Sequence, residues 1–312
     1  MKNTWKSGIM GVVVGDALGC PVQFESRETV AKHPVTGMRG YGTFNLPPGS
    51  WTDDSSLTLA LLESIRRMGG IDYTDIMDNF VKWLDGGEFT PYGYAYDIGR
   101  GTMSAINRYK RYHKPHKAGN IDERSNGNGS LMRIMPAVLY CIDNAPSSDE
   151  AIDIIHKVGG LTHAHIRSNI ACGLYYFMAS AVLSGDGSLT ERLQMGLDRG
   201  FAFYEHYLAD HENLEYYDRM RDLEAFASLT EDSIRSSGYV VDALEAAIWA
   251  LANSGSFDGA LLKAVNLGDD TDTVGAIAGG LAGLYYGYDA IPEDWLGALQ
   301  RREWIEGLCE GK

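Results

Sequence analysis

Apolar residues in this chain recur at three- and four-residue spacing along nearly its whole length, and nowhere alternate with polar ones over the length of a strand. That period belongs to the α-helix, so the pattern predicts an all-α protein. Trp5, Ile9, Val12 and Val13 mark an opening helix. Further helices are expected over Ser55–Met68, ended by Gly69-Gly70, and Tyr73–Leu84, closed by Gly86-Gly87. The pattern continues over 99–112, 132–142, 149–158, 167–183, 190–208, 215–229, 239–253 and 271–286, with a short tail after Pro292. No linker rich in Pro, Gly or Ser divides the chain and no repeat appears, so residues 1–312 are expected to form a single domain.

Two of these segments carry glycine at helical spacing: Gly8, Gly11, Gly15 and Gly19 in one, Gly275, Gly279 and Gly283 in the other. Glycine costs a helix about 1 kcal/mol relative to alanine. Close approach of two helix backbones is the reason expected here, and it places both helices at the centre of the bundle. The run Val274–Tyr288 is too short and too rich in glycine for a membrane span. With no apolar signal core in residues 1–7, a cytoplasmic protein is expected. Cys20, Cys141, Cys172 and Cys309 show no CxxC spacing and read as core thiols of a reducing compartment. A net charge of −15 argues against a nucleic-acid surface, which needs clustered Lys and Arg. The nearest basic cluster, 108–117, reads as a solvated helix end.

Two helix starts are crowded with oxygen side chains. Thr52-Asp53-Asp54-Ser55 precedes one apolar run, and Asp269-Asp270-Thr271-Asp272-Thr273 precedes the glycine-rich one. Asp, Ser and Thr are ordinary N-caps, and the helix dipole favours acids in the first turn by ~0.3–1 kcal/mol. One cap uses one or two oxygens, however, and these starts hold five carboxylates on helices that read as buried. Unpaired buried carboxylates are costly, and a cation between the two helix ends would relieve them. Carboxylate and hydroxyl ligands suit hard cations such as Mg²⁺ or Mn²⁺, and four or more converging acids suit a pair of them. No GxSxG elbow supports a Ser/His/Asp hydrolase, and no GxGxxG follows a strand.

In order along the chain stand Gly15-Asp16-Ala17-Leu18-Gly19, Trp51-Thr52-Asp53-Asp54-Ser55, Asp97-Ile98-Gly99, Asn128-Gly129-Ser130-Leu131-Met132-Arg133, Thr162-His163, Ser237-Gly238-Tyr239-Val240 and Gly268-Asp269-Asp270-Thr271-Asp272-Thr273. Together they resemble the motifs of the ADP-ribosylglycohydrolase family, from the first helix to about Ala298. The resemblance implies an orthogonal multi-helix bundle with two Mg²⁺ or Mn²⁺ ions in a cleft. It implies hydrolysis of the bond between ADP-ribose and an acceptor: a protein side chain such as Arg or Ser, or a small ADP-ribosyl conjugate. Matching motifs make Thr52, Asp53, Asp54, Asp270, Asp272 and Thr273 the metal ligands, with Asp53 and Asp272 also counted among the catalytic groups. The distal ribose would lie on the cations with its anomeric carbon facing an activated water. An oxocarbenium-like transition state makes a nearby carboxylate the natural partner. No nucleic acid, no membrane and a monomeric state complete the expectation.

The sequence departs from the family at Gln23, in Val22-Gln23-Phe24, where members often carry Glu. Gln orients but cannot accept a proton. Base chemistry then passes to Asp97 or to cation-activated water. The alternative is a catalytically weakened module that only binds ADP-ribose or a nucleotide. Asp97 alone is an ordinary helix cap; the resemblance sets it on the acceptor side of the cleft. Asn128, Gly129, Ser130 and Met132 lie in a polar loop before an apolar helix, where backbone N–H groups can bind phosphate, and the resemblance directs Gly129 and Ser130 to a diphosphate. It brings His163 to the diphosphate or ribose, although a helix-flanking histidine with a backbone partner explains the same residue. Asp16, one turn beyond Val12, reads either as a buried cap on a neighbouring backbone or as support behind the metal ligands.

Overall fold

The computed structural model describes residues 2–145, 147–209 and 211–311, so the two ends of the expected 1–312 span lie outside the described residues. The described residues contain helices and turns but no strand; two isolated bridges, Asn120 with His163 and Gly127 with Tyr239, are the nearest approach to a sheet. The helices are α1 (Lys2–Gly19), α2 (Arg27–Lys32), α3 (Asp53–Met68), α4 (Tyr73–Gly86), α5 (Arg100–Tyr112), α6 (Met135–Asn144), α7 (Ser148–Gly159) and α8 (Ile166–Ser184). Then follow α9 (Leu189–Tyr207), α10 (Glu212–Glu215), α11 (Leu223–Ala227), α12 (Val240–Ala252), α13 (Phe257–Val265), α14 (Thr271–Tyr286), α15 (Glu293–Ala298) and α16 (Arg302–Glu310). One contiguous apolar core runs from Trp5 in α1 to Cys309 in α16. No helix among the described residues is long and apolar enough to cross a membrane.

Local chemistry explains several boundaries. Ser26, Asp72, Ser147, Asp222 and Ser256 accept first-turn N–H groups as N-caps, and Ser188 with Glu191 forms a full capping box. Gly69 and Gly87 close α3 and α4 in the left-handed region, at φ 69° and 67°.

Two expectations need correction. The helix expected from Met132 starts at Met135, because residues 128–134 turn on themselves through Met132 N–H to Asn128 O and Ile134 N–H to Leu131 O. The helix expected over 215–229 is broken into α10, a 3₁₀ turn at Asp218–Met220 and α11. Tyr217 is drawn inward there, its hydroxyl donating to Arg167 O, and Asp222 starts a new helix by capping Ala225 N–H. Helices α2, α13 and α16 are too short to have shown a convincing period.

At the centre, α1 and α14 run antiparallel with their glycines interleaved. A Cβ on Gly11 would stand 2.1 Å from Gly279 O, and one on Gly15 would stand 2.0 Å from Gly275 O. Gly19 sits directly on Thr271 and Asp272 backbone, 2.4 Å from where its Cβ would be. Any side chain at these points would force the helices apart. The packing therefore sets the C-terminal end of α1 against the first turn of α14.

Candidate active site

The two acidic helix starts, some 220 residues apart in sequence, meet at that junction. Thr52 Oγ1 is 3.2 Å from both Asp54 Oδ2 and Asp272 Oδ2. Thr273 Oγ1 is 3.4 Å from Asp54 Oδ2. Helix α1 holds both sides: its glycines seat α14, and its Asp16 seats α3. The Asp16 carboxylate accepts from Thr52 N–H at 3.0 Å and Ser55 N–H at 2.9 Å, and from the hydroxyls of both residues. Asp16 thus caps a neighbouring backbone, one of the two readings its stripe position left open, and it also touches the Thr52 hydroxyl.

The acidic residues themselves are not caps. Thr52 and Asp270 occupy the N-cap positions of α3 and α14, yet neither side chain bonds its own helix N-terminus. Asp53, Asp54 and Asp272 are at most 5% exposed. No Lys, Arg or His among the described residues pairs with them or with Asp97 or Asp270. Burial, then mutual repulsion, raises the pKa values of Asp53, Asp54 and Asp272 well above the ordinary carboxylate range. Asp54 Oδ1 and Asp272 Oδ1 are buried without any hydrogen-bond partner. Thr52 Oγ1 carries one proton and faces three carboxylates. Such a group lacks positive charge, and hard cations with oxygen ligands would supply it. No three Asp, Glu, His or Cys side chains among the described residues already stand as a closed metal-ligand group. The donor set here is completed by two threonine hydroxyls, and it fits cations that draw the carboxylates in.

Asp53, Asp54, Asp97, Asp270 and Thr273 form one wall of a cavity of about 810 Å³. Gln23 lies on it too, donating through Nε2 to Asp97 Oδ2 at 2.9 Å while its Oε1 is buried and unpartnered. Asn128 Nδ2 donates to Asp270 Oδ2 at 2.6 Å. The backbone around these groups is unusual: Phe24, Asp97 and Asp269 adopt φ values of 67°, 53° and 58°, a region that non-glycine residues seldom occupy outside functional sites and tight turns. Phe24 N–H donates to Asp269 O, and Asp269 N–H donates to Glu25 O at 2.8 Å. These two bonds clip the loop after α1 onto the start of α14.

Gly129, Met132 and His163, all anticipated from sequence, also line the cavity. Ser130 does not line it. Its side chain is fully buried, with its hydroxyl 3.6 Å from the Cys172 thiol. The helix N-terminus that faces the cavity is that of α5, not α6: Gly99, Arg100, Gly101 and Thr102 line it. Arg100, Gly101, Thr102, Asn120 and Arg124 escaped the sequence reading, whereas Gly99 and Gly238 stood in motifs noted there. Asp97-Ile98-Gly99 just before an amphipathic helix was the available signal for the α5 residues; Arg124 sits in a polar loop that gave none.

A family model described as ADP-ribosylglycohydrolase matches residues 3–311. An ADP-ribosylarginine hydrolase of Serratia proteamaculans (strain 568) is 33% identical over 305 residues, 98% of this chain and 77% of that protein. An ADP-ribosylarginine hydrolase of Pseudomonas putida (strain GB-1) is 32% identical over 306 residues, 98% and 76% of the two chains. An ADP-ribosyl-dinitrogen reductase glycohydrolase of Rhodospirillum rubrum is 29% identical over 295 residues, 94% of this chain and 89% of that one. Among solved structures, an ADP-ribosylglycohydrolase-related protein complex aligns with a TM-score of 0.79 and 33% identity, over 99% of this chain and 96% of that chain.

Proposed function

Because the chain belongs to the ADP-ribosylglycohydrolase family, we propose that it hydrolyses the bond between ADP-ribose and a modified side chain, with arginine the first acceptor to test. Two of its relatives carry the name ADP-ribosylarginine hydrolase. The observation that carries the reading is the meeting of two acidic helix starts, whose own N-cap side chains make no cap bond, at one cavity, with buried carboxylate oxygens left unpartnered. The single continuous core supports treating residues 1–312 as one domain.

Thr52, Asp53, Asp54, Asp270, Asp272 and Thr273 would hold two Mg²⁺ or Mn²⁺ ions. Bound there, the ions would neutralise the carboxylates, hold vicinal ribose hydroxyls and make water a better nucleophile. The protein's own groups then have defined tasks. Asp16 holds Thr52 and Ser55, and so the first turn of α3, in place. Asn128 fixes the Asp270 carboxylate by donating to it. Gln23 orients Asp97 by donating to one of its oxygens. Asp97 is the remaining proton acceptor at the cavity surface, since the Gln23 amide cannot take a proton. A carboxylate there also favours the positive charge that develops on the ribose ring as the glycosidic bond breaks. The first turn of α5, with Gly129, Met132 and His163, forms the wall suited to the diphosphate and adenosine end.

The decisive experiment is release of free ADP-ribose from an ADP-ribosylated arginine peptide, measured with and without EDTA and with the Asp272→Ala variant. Loss of release in both conditions is expected. Release that ignores both would sink the proposal. The same assay decides a second reading favoured by Gln23, that of a weakened enzyme which mainly binds ADP-ribose. There the wild type binds ADP-ribose in a calorimeter with little turnover, and Gln23→Glu raises turnover.

A further inference from the structure

Arg133, Thr162 and His163 form a chain of contacts that ends in the cavity. Arg133 is fully buried, with its guanidinium 4.7 Å from the Phe80 ring centre and its Nη2 2.8 Å from Thr162 Oγ1. Thr162 Oγ1 in turn lies 3.0 Å from His163 Nδ1. A guanidinium only donates, so Thr162 accepts from Arg133. The hydroxyl proton of Thr162 must then go elsewhere, and its side chain is buried. Among the described residues, His163 Nδ1 is the one other polar group it meets. A buried donor without an acceptor costs about 1–3 kcal/mol. The arrangement that satisfies the Thr162 hydroxyl within the protein has it donating to Nδ1. Nδ1 then bears no proton, and a neutral imidazole must carry it on Nε2.

Glycines make room for the Nε2 edge of the ring at the cavity. A Cβ on Gly101 would stand 2.7 Å from His163 Nε2, and one on Gly129 would stand 3.1 Å from the same atom. Gly127 approaches it at 3.6 Å by the same measure. All three glycines and His163 line the cavity. No protein acceptor among the described residues takes the Nε2 proton. Burial, reinforced by the charge of Arg133, pushes the His163 pKa down to about 3, so the ring stays neutral near pH 7.

We infer that Arg133 and Thr162 are positioning residues that lock His163 as its Nε2–H tautomer, a neutral donor aimed into the cavity at an anionic ligand oxygen. The identity of that oxygen, one of a diphosphate, rests on the proposed function; the tautomer does not. Only a donor helps at an anionic oxygen: the opposite tautomer would present a lone pair and repel it. Arg133, buried too deeply to touch the ligand itself, thereby acts on it at one remove.

The experiment is ¹⁵N NMR of the histidine ring nitrogens in the full-length protein at neutral pH, with His163 assigned by its loss in His163→Gln. Wild type is expected to show a proton-bearing Nε2 and a bare Nδ1. Thr162→Val keeps the side-chain shape and removes the hydroxyl, so it should mix the two tautomers, and Thr162→Ser should restore the wild-type pattern. ADP-ribose binding should weaken about tenfold in Thr162→Val, with adenosine binding unchanged. A proton on Nδ1 in the wild type, or a ring spectrum indifferent to Thr162→Val in a protein of unchanged helix content, would overturn the inference. If the tautomer is as stated but ADP-ribose leaves the ring signals unmoved, the lock stands and the diphosphate assignment fails. Arg133→Lys keeps a charged donor and should hold the tautomer if it folds; Thr162→Val decides the matter if it does not.

Discussion

Replacing Gly15 by alanine tests the central packing with a sign that helix propensity alone would get wrong. A methyl group at Gly15 would stand 2.0 Å from Gly275 O and 2.4 Å from its carbonyl carbon, whereas ordinary contact begins near 3.4 Å. Helices α1 and α14 would have to part by roughly 1.4 Å at that level, from the two distances just given. Both obstructing atoms are backbone, so no side chain can rotate away. Overpacking of this kind costs ~1–3 kcal/mol, and a displacement of this size belongs at the upper end. Alanine returns about 1 kcal/mol of helix propensity. The net expectation is a loss of about 2 kcal/mol of unfolding free energy. Gly307, inside α16, has nothing within 4 Å of its would-be Cβ. Gly307→Ala should therefore gain ~0.5–1 kcal/mol by the same propensity term. Urea denaturation followed by far-ultraviolet circular dichroism reads both. Parting the helices also lifts Asp272 away from Asp54, so Gly15→Ala should bind Mn²⁺ more weakly in calorimetry while Gly307→Ala does not. A Gly15→Ala midpoint at or above wild type, beside the expected gain in Gly307→Ala, would refute the reasoning.

Three further outcomes are expected. Asp16→Ala removes an acceptor for two N–H groups and two hydroxyls at the start of α3; stability should fall by about 2–4 kcal/mol, and Mn²⁺ affinity by ~10–100-fold, in denaturation and titration. Asp54→Ala removes the carboxylate that both threonine hydroxyls approach, and should abolish ADP-ribose release while raising or leaving unchanged the unfolding midpoint in EDTA, because it relieves repulsion. His156 is held neutral against Tyr204, its Nε2 2.8 Å from the phenol oxygen, with burial pushing its pKa from 6.5 down to about 4. The unfolded chain takes up that proton below about 6.5 and the folded one does not until about 4, so stability is full above 6.5 and falls as pH drops through the window. The loss should be about 3 kcal/mol, and a His156→Phe midpoint should be flatter with pH between those values; an equal slope would rule the assignment out.

The helical character of the chain was legible because period is a local property: a three- and four-residue repeat reports which face of a helix is buried wherever that helix lies. The acidic starts were legible because five carboxylates exceed what two N-caps use, and the glycine strings because helices avoid glycine without a packing reason. Ordered motifs then supplied the family. The break at Tyr217 and the late start of α6 were not legible, since each follows from a partner distant in sequence: Arg167 O for Tyr217, and, for the turns before α6, Gly238 O, which accepts from Asn128 N–H. The same limit applied to the Ser130 side chain, whose burial beside Cys172 depends on a residue 42 positions away.

The sequence by itself determined which residues could become helices, which could hold cations and which family's chemistry they suit. Tertiary structure alone decided that the interleaved glycines of α1 and α14, together with the Asp16 cap on α3, carry Asp54 and Asp272 to within 3.2 Å of one threonine hydroxyl. The physical reason is that side-chain periodicity encodes burial within an element, whereas the meeting of two helix ends is set by how closely backbones can approach, and that distance is a property of pairs of segments.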